Sequence, residues 1–181
     1  ILRKMFTAKS VKGNLVFIGR SGVGYDNVSI KDATDNGIVV CIAPNGNTNS
    51  TAELSIGLMF SLARNISQAN KYLHSGEWNK KKFSGSELEG KVLGIIGVGR
   101  IGKKEAQKAH ALGMKIIGYD ILKIDVPYIE QQSLHGLLTK SDFVSVHTGG
   151  EEEIIGKNEL DLMKPTAYLI NTARDSNVNY S

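Results

Sequence analysis

Lys91–Asp120, KVLGIIGVGRIGKKEAQKAHALGMKIIGYD, decides the fold. An apolar run, Lys91–Ile96, leads straight into Gly97-Val98-Gly99-Arg100-Ile101-Gly102. A helical pattern follows, and a second apolar run, Met114–Tyr119, ends in Asp120. The order is strand, glycine turn, helix, strand, with an acid at the tip of the second strand. Gly97 permits the tight turn, Gly99 lets backbone approach a pyrophosphate, and Gly102 lets the helix pack close to its strand. Arg100 and Ile101 open the helix, where unpaired N–H groups and the positive end of the helix dipole face a phosphate. Asp120 follows Gly102 by eighteen residues, close to the roughly 20 expected of an acid that binds a ribose diol. A glycine turn alone is weak evidence, because many such turns are purely structural. Here strand, helix, second strand and acid agree, and the segment reads as a dinucleotide site. A carboxylate at the ribose would repel the 2′-phosphate of NADP, so NAD is the expected cofactor.

Around this unit, the 181 residues are 41% hydrophobic and 22% charged. That length holds one domain, or one complete domain and part of another, with a composition ordinary for a soluble globular chain. The formal charge of +4 and pI near 9.1 suit an anionic substrate or cofactor. The lysines are scattered at helical surface positions, so no nucleic-acid partner is expected. The exception is the short run Lys80-Lys81-Lys82. One cysteine, Cys41, leaves no internal disulfide framework and fits a reducing, cytoplasmic setting. Because it sits in the apolar run Ile38–Ile42, it reads as a buried structural thiol. No stretch has the length and apolarity of a membrane span. His74, His110, His135 and His147 lack metal-ligand spacing, so neither a membrane nor a metal site is expected.

Before the glycine turn, Leu15–Ile18 reads as a strand, Asn27–Asn36 as a short helix closed by Gly37, and Ile38–Ile42 as a β-branched strand. Ala43–Asn49, with Pro44, Gly46 and three asparagines, is turn-rich and reads as a hinge. Residues 1–44 are therefore taken as one domain in part and 45–181 as the dinucleotide domain. Ser50-Thr51-Ala52-Glu53 has the form of a capping box opening a helix through Arg64. Leu54, Ile56, Leu58, Met59, Phe60 and Leu62 make that helix apolar on most faces. It should be buried, against another subunit, and a homodimer or homotetramer is expected. A second helix spans about Ile66–Ser75, and Gly76–Gly90 is a polar loop. Beyond Asp120 come a helix near Leu134–Thr139, a strand Phe143–His147, a helix near Lys157–Met163 and a strand Ala167–Asn171. Alternating strands and helices predict an α/β fold, a parallel doubly wound sheet with right-handed crossovers.

Several motifs resemble, in order, those of the D-2-hydroxyacid dehydrogenases: Gly19-Arg20-Ser21-Gly22-Val23-Gly24-Tyr25-Asp26-Asn27, Ala43-Pro44-Asn45-Gly46-Asn47, the helix from Ser50-Thr51-Ala52-Glu53-Leu54, Glu89–Gly97, Phe143–Thr148, and Asn171-Thr172-Ala173-Arg174. Pro44-Asn45-Gly46-Asn47, together with Trp78 and Lys81-Lys82-Phe83-Ser84-Gly85-Ser86-Glu87-Leu88, is similar to the branch that acts on D-3-phosphoglycerate. The resemblance spans nearly the whole chain. It implies a Rossmann NAD-binding domain with part of a smaller flavodoxin-like substrate domain, and a small anionic 2-hydroxy acid as substrate. The implied reaction is oxidation of D-3-phosphoglycerate to 3-phosphohydroxypyruvate, the entry to serine synthesis, by hydride transfer between the two domains.

Arg174 ends a strand where ligands bind in open α/β folds. On its own it would read as a surface arginine paired with an acid; the resemblance makes it the catalytic arginine, holding the carboxylate and polarising the C2 carbonyl. Ser21 and Gly22 read equally as an ordinary tight turn or as main-chain N–H groups for a carboxylate, and the resemblance implies the substrate role. It also implies that Val23 lies near the nicotinamide and that Thr148, Thr172 and Ala173 meet the cofactor. Lys80 and Lys81 read as a solvated loop or as general attraction for anions; the resemblance implies an approach to the substrate phosphate from a neighbouring subunit. His147 reads as a packed strand-end residue.

Two departures from the family pattern stand out. The family's general acid/base histidine and its glutamate partner lie downstream of the arginine motif, and the family's first strand and helix precede Ile1. The His147–Arg174 interval is also a few residues short around Gly149–Glu153. The residues are therefore expected to be part of a longer protein, and without the proton-transfer group, worth about 10²–10⁴-fold, nearly inactive by themselves. Asp175 replaces the glycine usual after the arginine; it either pairs with Arg174 or faces solvent. The alternatives are another D-2-hydroxyacid dehydrogenase, acting on glyoxylate or lactate, and a non-catalytic NAD-sensing protein of corepressor type.

Overall fold

The computed structural model describes residues 14–180. The chain divides into two compact units after Asn49. In the first, β1 (Phe17–Arg20) and β2 (Val39–Ile42) pair in parallel, Phe17 opposite Val39 and Arg20 opposite Ile42. This register, rather than hydropathy, sets the strand ends, and β1 starts two residues later than the apolar run Leu15–Ile18 suggests. Helix α1 (Ile30–Asp35) connects them, with the Ser29 hydroxyl accepting the Asp32 N–H at 3.2 Å and Gly37 turning the chain at φ +67. Ala33 is its buried residue, and Val28 and Ile38, on either side of the helix, are buried with it. Cys41 is exposed, against the expectation of a buried thiol; among the described residues β2 pairs with β1 in a two-stranded sheet.

Helix α2 (Thr48–Ala63) is followed by α3 (Ile66–His74) and a 3₁₀ turn, Lys80–Phe83. Ser50–Glu53 does not cap α2. Successive turns, Gly46 N–H to Ala43 O at 3.0 Å and Thr48 N–H to Asn45 O at 3.3 Å, wind straight into the helix and leave Ser50 within its first turn. Nor is α2 buried all round. Its inward stripe is Ala52, Ser55, Met59 and Ala63, whereas Leu54 is 56% and Leu58 37% exposed.

The second unit is built on β3 (Val92–Ile96), α4 (Arg100–Ala111), β4 (Lys115–Tyr119), β5 (Ile129–Gln131), α5 (Leu134–Lys140), β6 (Phe143–Val146), α6 (Lys157–Leu162) and β7 (Tyr168–Asn171). All five strands are parallel, in the order β5-β4-β3-β6-β7. β5 escaped the sequence reading because three residues behind Pro127 carry no periodicity. Leu93, Ile95 and Phe143 join Met59, Ala63, Ala106, Ala109 and Met114 in one apolar layer; Ile96, Val144 and Val146 join Leu137, Leu138, Ile155 and Val178 in the other. Alternate residues of one strand thus feed opposite layers, as expected for a parallel sheet covered on both faces. From β3 the chain moves to β4 on one side and later returns to β6 on the other. In doubly wound folds, that reversal opens the ligand crevice at the strands' carboxyl ends.

Candidate cofactor site

The strand register assembles the site. Ile96 is level with Tyr119 of β4 and Val146 of β6, and Val146 with Asn171 of β7. The residues just past that line are Gly97, Asp120, His147-Thr148 and Thr172-Ala173-Arg174, so residues far apart in sequence share one carboxyl edge. Gly97 sits at φ +90, and a Cβ there would lie 2.8 Å from the His147 carbonyl carbon and 2.9 Å from the Thr148 nitrogen. The left-handed turn and this close approach both require glycine. A Cβ on Gly102 would strike the Gly97 carbonyl oxygen, so the third glycine is what lets α4 start against β3. Gly99 caps α4 in an extended conformation, and a Cβ there would meet nothing within 4 Å. Gly99 and Arg100 are exposed, so the first turn of α4 presents its unpaired N–H groups outward, as an anion site does.

Asp120, half-buried, uses both carboxylate oxygens on the main chain: Oδ2 accepts the Val98 N–H at 2.8 Å, and Oδ1 the Leu122 N–H at 2.9 Å. It ties the tip of β4 to the glycine turn and keeps its negative charge beside the turn. Thr148 Oγ1 is buried and has no hydrogen-bond partner, and a hydroxyl left so is costly unless a bound group completes it. An extended dinucleotide fits these residues: N–H groups of α4 for the pyrophosphate, a carboxylate for a ribose diol, and an open hydroxyl further along the edge.

Arg174 is held by the chain around it. Its N–H donates to Asn177 Oδ1 at 3.0 Å, its carbonyl accepts from Asn171 Nδ2 at 2.7 Å, and one guanidinium nitrogen donates to Ala173 O at 3.1 Å. Asp175 is exposed and opens a short 3₁₀ turn, Asp175–Asn177. His147 is enclosed, its side chain 1% exposed, with Nε2 2.6 Å from Glu105 Oε2. Ser145 Oγ is 3.0 Å from Nε2, Thr172 Oγ1 is 3.2 Å from Nδ1, and Ser55 Oγ is 3.1 Å from Thr172 Oγ1. Bonded at both ring nitrogens, His147 is not placed to exchange protons with a substrate. Glu105, Ser55 and Ser145 are the residues the sequence reading missed. The available signal was Glu105 itself, an acid on the inward stripe Gly102, Glu105, Ala106, Ala109 of α4.

In the first unit, Ser21 and Val23 are exposed and Gly22 is buried. Arg20, another residue missed, closes this loop, its Nε and NH2 donating to Gly24 O at 3.0 and 2.9 Å. A Cβ on Gly22 would lie 3.2 Å from the Asn47 side chain, and one on Gly46 would strike the Ser21 carbonyl oxygen, so the Pro44–Asn47 segment braces the loop. Lys80 and Lys81 lie in the 3₁₀ turn ahead of β3, away from the strand ends in sequence and not on any strand. The Lys80 ammonium sits 5.8 Å from the Trp78 ring centre, that of Lys82 4.3 Å from the Tyr72 ring centre, and the Lys81 N–H donates to Asn79 Oδ1 at 3.2 Å. Among the described residues, no group of three His, Cys, Asp or Glu is placed to hold a metal ion, and no helix is long and apolar enough to cross a membrane.

The NAD binding domain of the D-isomer specific 2-hydroxyacid dehydrogenases matches residues 56–181. A D-3-phosphoglycerate dehydrogenase of Methanocaldococcus jannaschii is 43% identical over 174 residues, which cover 88% of this chain and 32% of that one. A hydroxypyruvate reductase of Thermotoga maritima is 42% identical over 171 residues, covering 92% of this chain and 56% of that one. Among solved structures, a glyoxylate reductase from Paecilomyes thermophila superposes with a TM-score of 0.79 at 33% identity, over 91% of this chain and 52% of that one. The chain thus spans about a third to just over half the length of the relatives it matches. With the reversed parallel sheet, the glycine turn and the acid at the tip of β4 in place, the conclusion is direct: the chain belongs to the D-isomer specific 2-hydroxyacid dehydrogenase family.

Proposed function

We propose that the protein is an NAD-dependent dehydrogenase that oxidises D-3-phosphoglycerate at C2 to 3-phosphohydroxypyruvate. The observation that carries this reading is the shared carboxyl edge on which Gly97–Gly102, Asp120, Thr148 and Thr172–Arg174 meet. NAD, when bound, supplies the hydride acceptor. Amides of Gly99–Gly102 bind the pyrophosphate at the dipole end of α4, Asp120 takes the adenosine ribose diol, and Thr148, Thr172 and Ala173 face the rest of the cofactor. The Arg174 guanidinium clamps the substrate carboxylate and stabilises negative charge developing on the C2 oxygen. In the first unit, the Ser21–Gly22–Val23 loop offers main-chain N–H groups to an anionic substrate. Lys80 and Lys81 add a positive field that favours a phosphorylated acid. The family resemblance assigns proton removal to a histidine downstream of Arg174, a role that enclosed His147 does not fill. The exposed leucines of α2, Leu54 and Leu58, support a homodimer or homotetramer.

The substrate is tested by NADH formation from D-3-phosphoglycerate, D-glycerate and D-lactate with the full-length protein. The reading predicts the highest kcat/KM for the phosphorylated acid. The hydroxypyruvate and glyoxylate reductases among the relatives favour one second reading, a reductase of a small unphosphorylated 2-oxo acid. Faster turnover of hydroxypyruvate or glyoxylate with NADH would establish that instead, and no turnover with any of these acids would establish a non-catalytic NAD-binding protein.

A further inference from the structure

Glu105 is wholly enclosed (0% exposed) on the inward stripe of α4. An apolar side chain would fill that position at lower cost, since enclosing a carboxylate costs several kcal/mol unless it is well bonded. What the carboxylate adds is direction. A carboxylate accepts and cannot donate, an arrangement in which His147 Nε2, 2.6 Å away, supplies the hydrogen and shares it with Ser145 Oγ at 3.0 Å. Nδ1 is then the acceptor for the Thr172 hydroxyl at 3.2 Å, and Thr172 Oγ1 accepts from Ser55 at 3.1 Å. A single directed chain runs from α2 through the ends of β7 and β6 to α4. The main chain of His147 also lies directly under Gly97, so one residue touches the glycine turn with its peptide and α4 with its ring.

We propose that Glu105 and His147 are positioning residues for the cofactor: they hold the Thr172 hydroxyl in one orientation and lock the ends of β6 and β7 to the helix whose first turn faces the pyrophosphate. The inference rests on the NAD-binding reading above. A buried carboxylate that fixes the tautomer of a histidine, which in turn orients a working group, is a recurring arrangement around metals and nucleophiles; here the oriented group is a hydroxyl at the cofactor edge.

The test is calorimetric titration of the full-length protein with NAD, alongside KM for NAD and for the hydroxy acid. Glu105→Met, close in size and unable to accept, is expected to raise the NAD Kd about tenfold, the scale of one lost hydrogen bond. KM for the hydroxy acid should stay near wild type. Glu105→Gln keeps an oxygen for Nε2–H and should restore affinity to within about threefold of wild type. Its amide nitrogen replaces Oε1, which has no partner, so its cost falls on stability. Thr172→Val should cost about as much affinity as Glu105→Met, and the two together little more than either, because they break one chain. Wild-type NAD affinity in folded Glu105→Met, or additive losses in the double variant, would overturn the proposal. If Glu105→Met does not fold, Thr172→Val and Glu105→Gln decide: unchanged affinity in the first, or a loss of about tenfold or more in the second, overturns it as well. Failure of the wild-type protein to bind NAD would instead overturn the cofactor reading on which both stand.

Discussion

Gly99→Ala should separate the two duties of the glycine turn. Gly99 has φ −78 and ψ −151, extended values open to alanine, and a Cβ there meets nothing within 4 Å. The cost to the fold is only the N-cap preference of glycine over alanine, at most about 1 kcal/mol, which for a chain of this size lowers the melting temperature by about 2–4 °C. The cost to affinity is larger. The methyl group would stand at the mouth of α4, between a pyrophosphate and the N–H groups it must reach. One lost hydrogen bond to a charged group costs about 1.5–3 kcal/mol, roughly ten- to hundredfold in Kd. Gly102→Ala should show the opposite pattern. Its Cβ would strike the Gly97 carbonyl oxygen and lie 3.1 Å from Ile95 Cγ2, and overpacking of this kind destabilises by about 1–3 kcal/mol. Thermal unfolding and NAD titration of both variants in the full-length protein read the two effects apart. Wild-type NAD affinity in folded Gly99→Ala would refute the placement of the pyrophosphate over Gly99, and a greater loss of stability in Gly99→Ala than in Gly102→Ala would refute the packing argument.

Asp120→Ala should weaken NAD binding by about tenfold or more, since a charge-assisted acceptor is lost, and should narrow the preference over NADP; parallel titrations with both cofactors measure it. Arg174→Lys keeps the charge but not the planar fork, and is expected to lower kcat by about 100-fold while NAD affinity stays within about twofold, as steady-state kinetics and titration together will show. At Asp142, partial burial raises the carboxyl's pKa, but the Val92 N–H at 2.8 Å, Lys164 at 2.9 Å and nearby Lys91 outweigh it and hold it below the ordinary carboxylate value. A lowered folded-state value contributes stability that is present above the unfolded-state value near about 4 and is lost as pH falls through the folded one. Asp142→Asn should therefore be less stable than wild type at neutral pH, and the difference should shrink below about pH 4, as urea unfolding across that range will show.

The dinucleotide unit was legible because its parts are local: a glycine turn between two apolar runs, and an acid at a fixed distance. The parallel, doubly wound character of the sheet followed from the alternation of strands and helices, but its strand order and the short β5 did not. What was not legible depended on partners distant in sequence. Leu54 and Leu58 look like core residues until Ala52, Ser55, Met59 and Ala63 are seen to take the inward face of α2. Cys41 lies in an apolar run and is exposed; among the described residues β2 has one neighbouring strand, which the apolar run alone could not show. Ser50–Glu53 has capping-box spacing, but the turns from Ala43 deliver the chain already helical at Thr48. For Asp120 the sequence placed the carboxylate but not its bond to the Val98 N–H, which arises only when β3 and β4 align. Glu105 and His147, 42 residues apart, became a pair only when α4 packed against the sheet whose strand β6 ends just before His147.

The central claim is that the edge formed by Gly97–Gly102 and Asp120 is the site of an NAD cofactor, selected over NADP by the charge at Asp120. Calorimetric titration of the full-length protein with NAD and with NADP, at the same ionic strength, tests it most directly. The account predicts saturable binding of NAD at one site per chain, at least about tenfold tighter than NADP, the scale of one charge–charge contact. Equal or tighter binding of NADP, or no binding of either, would contradict it.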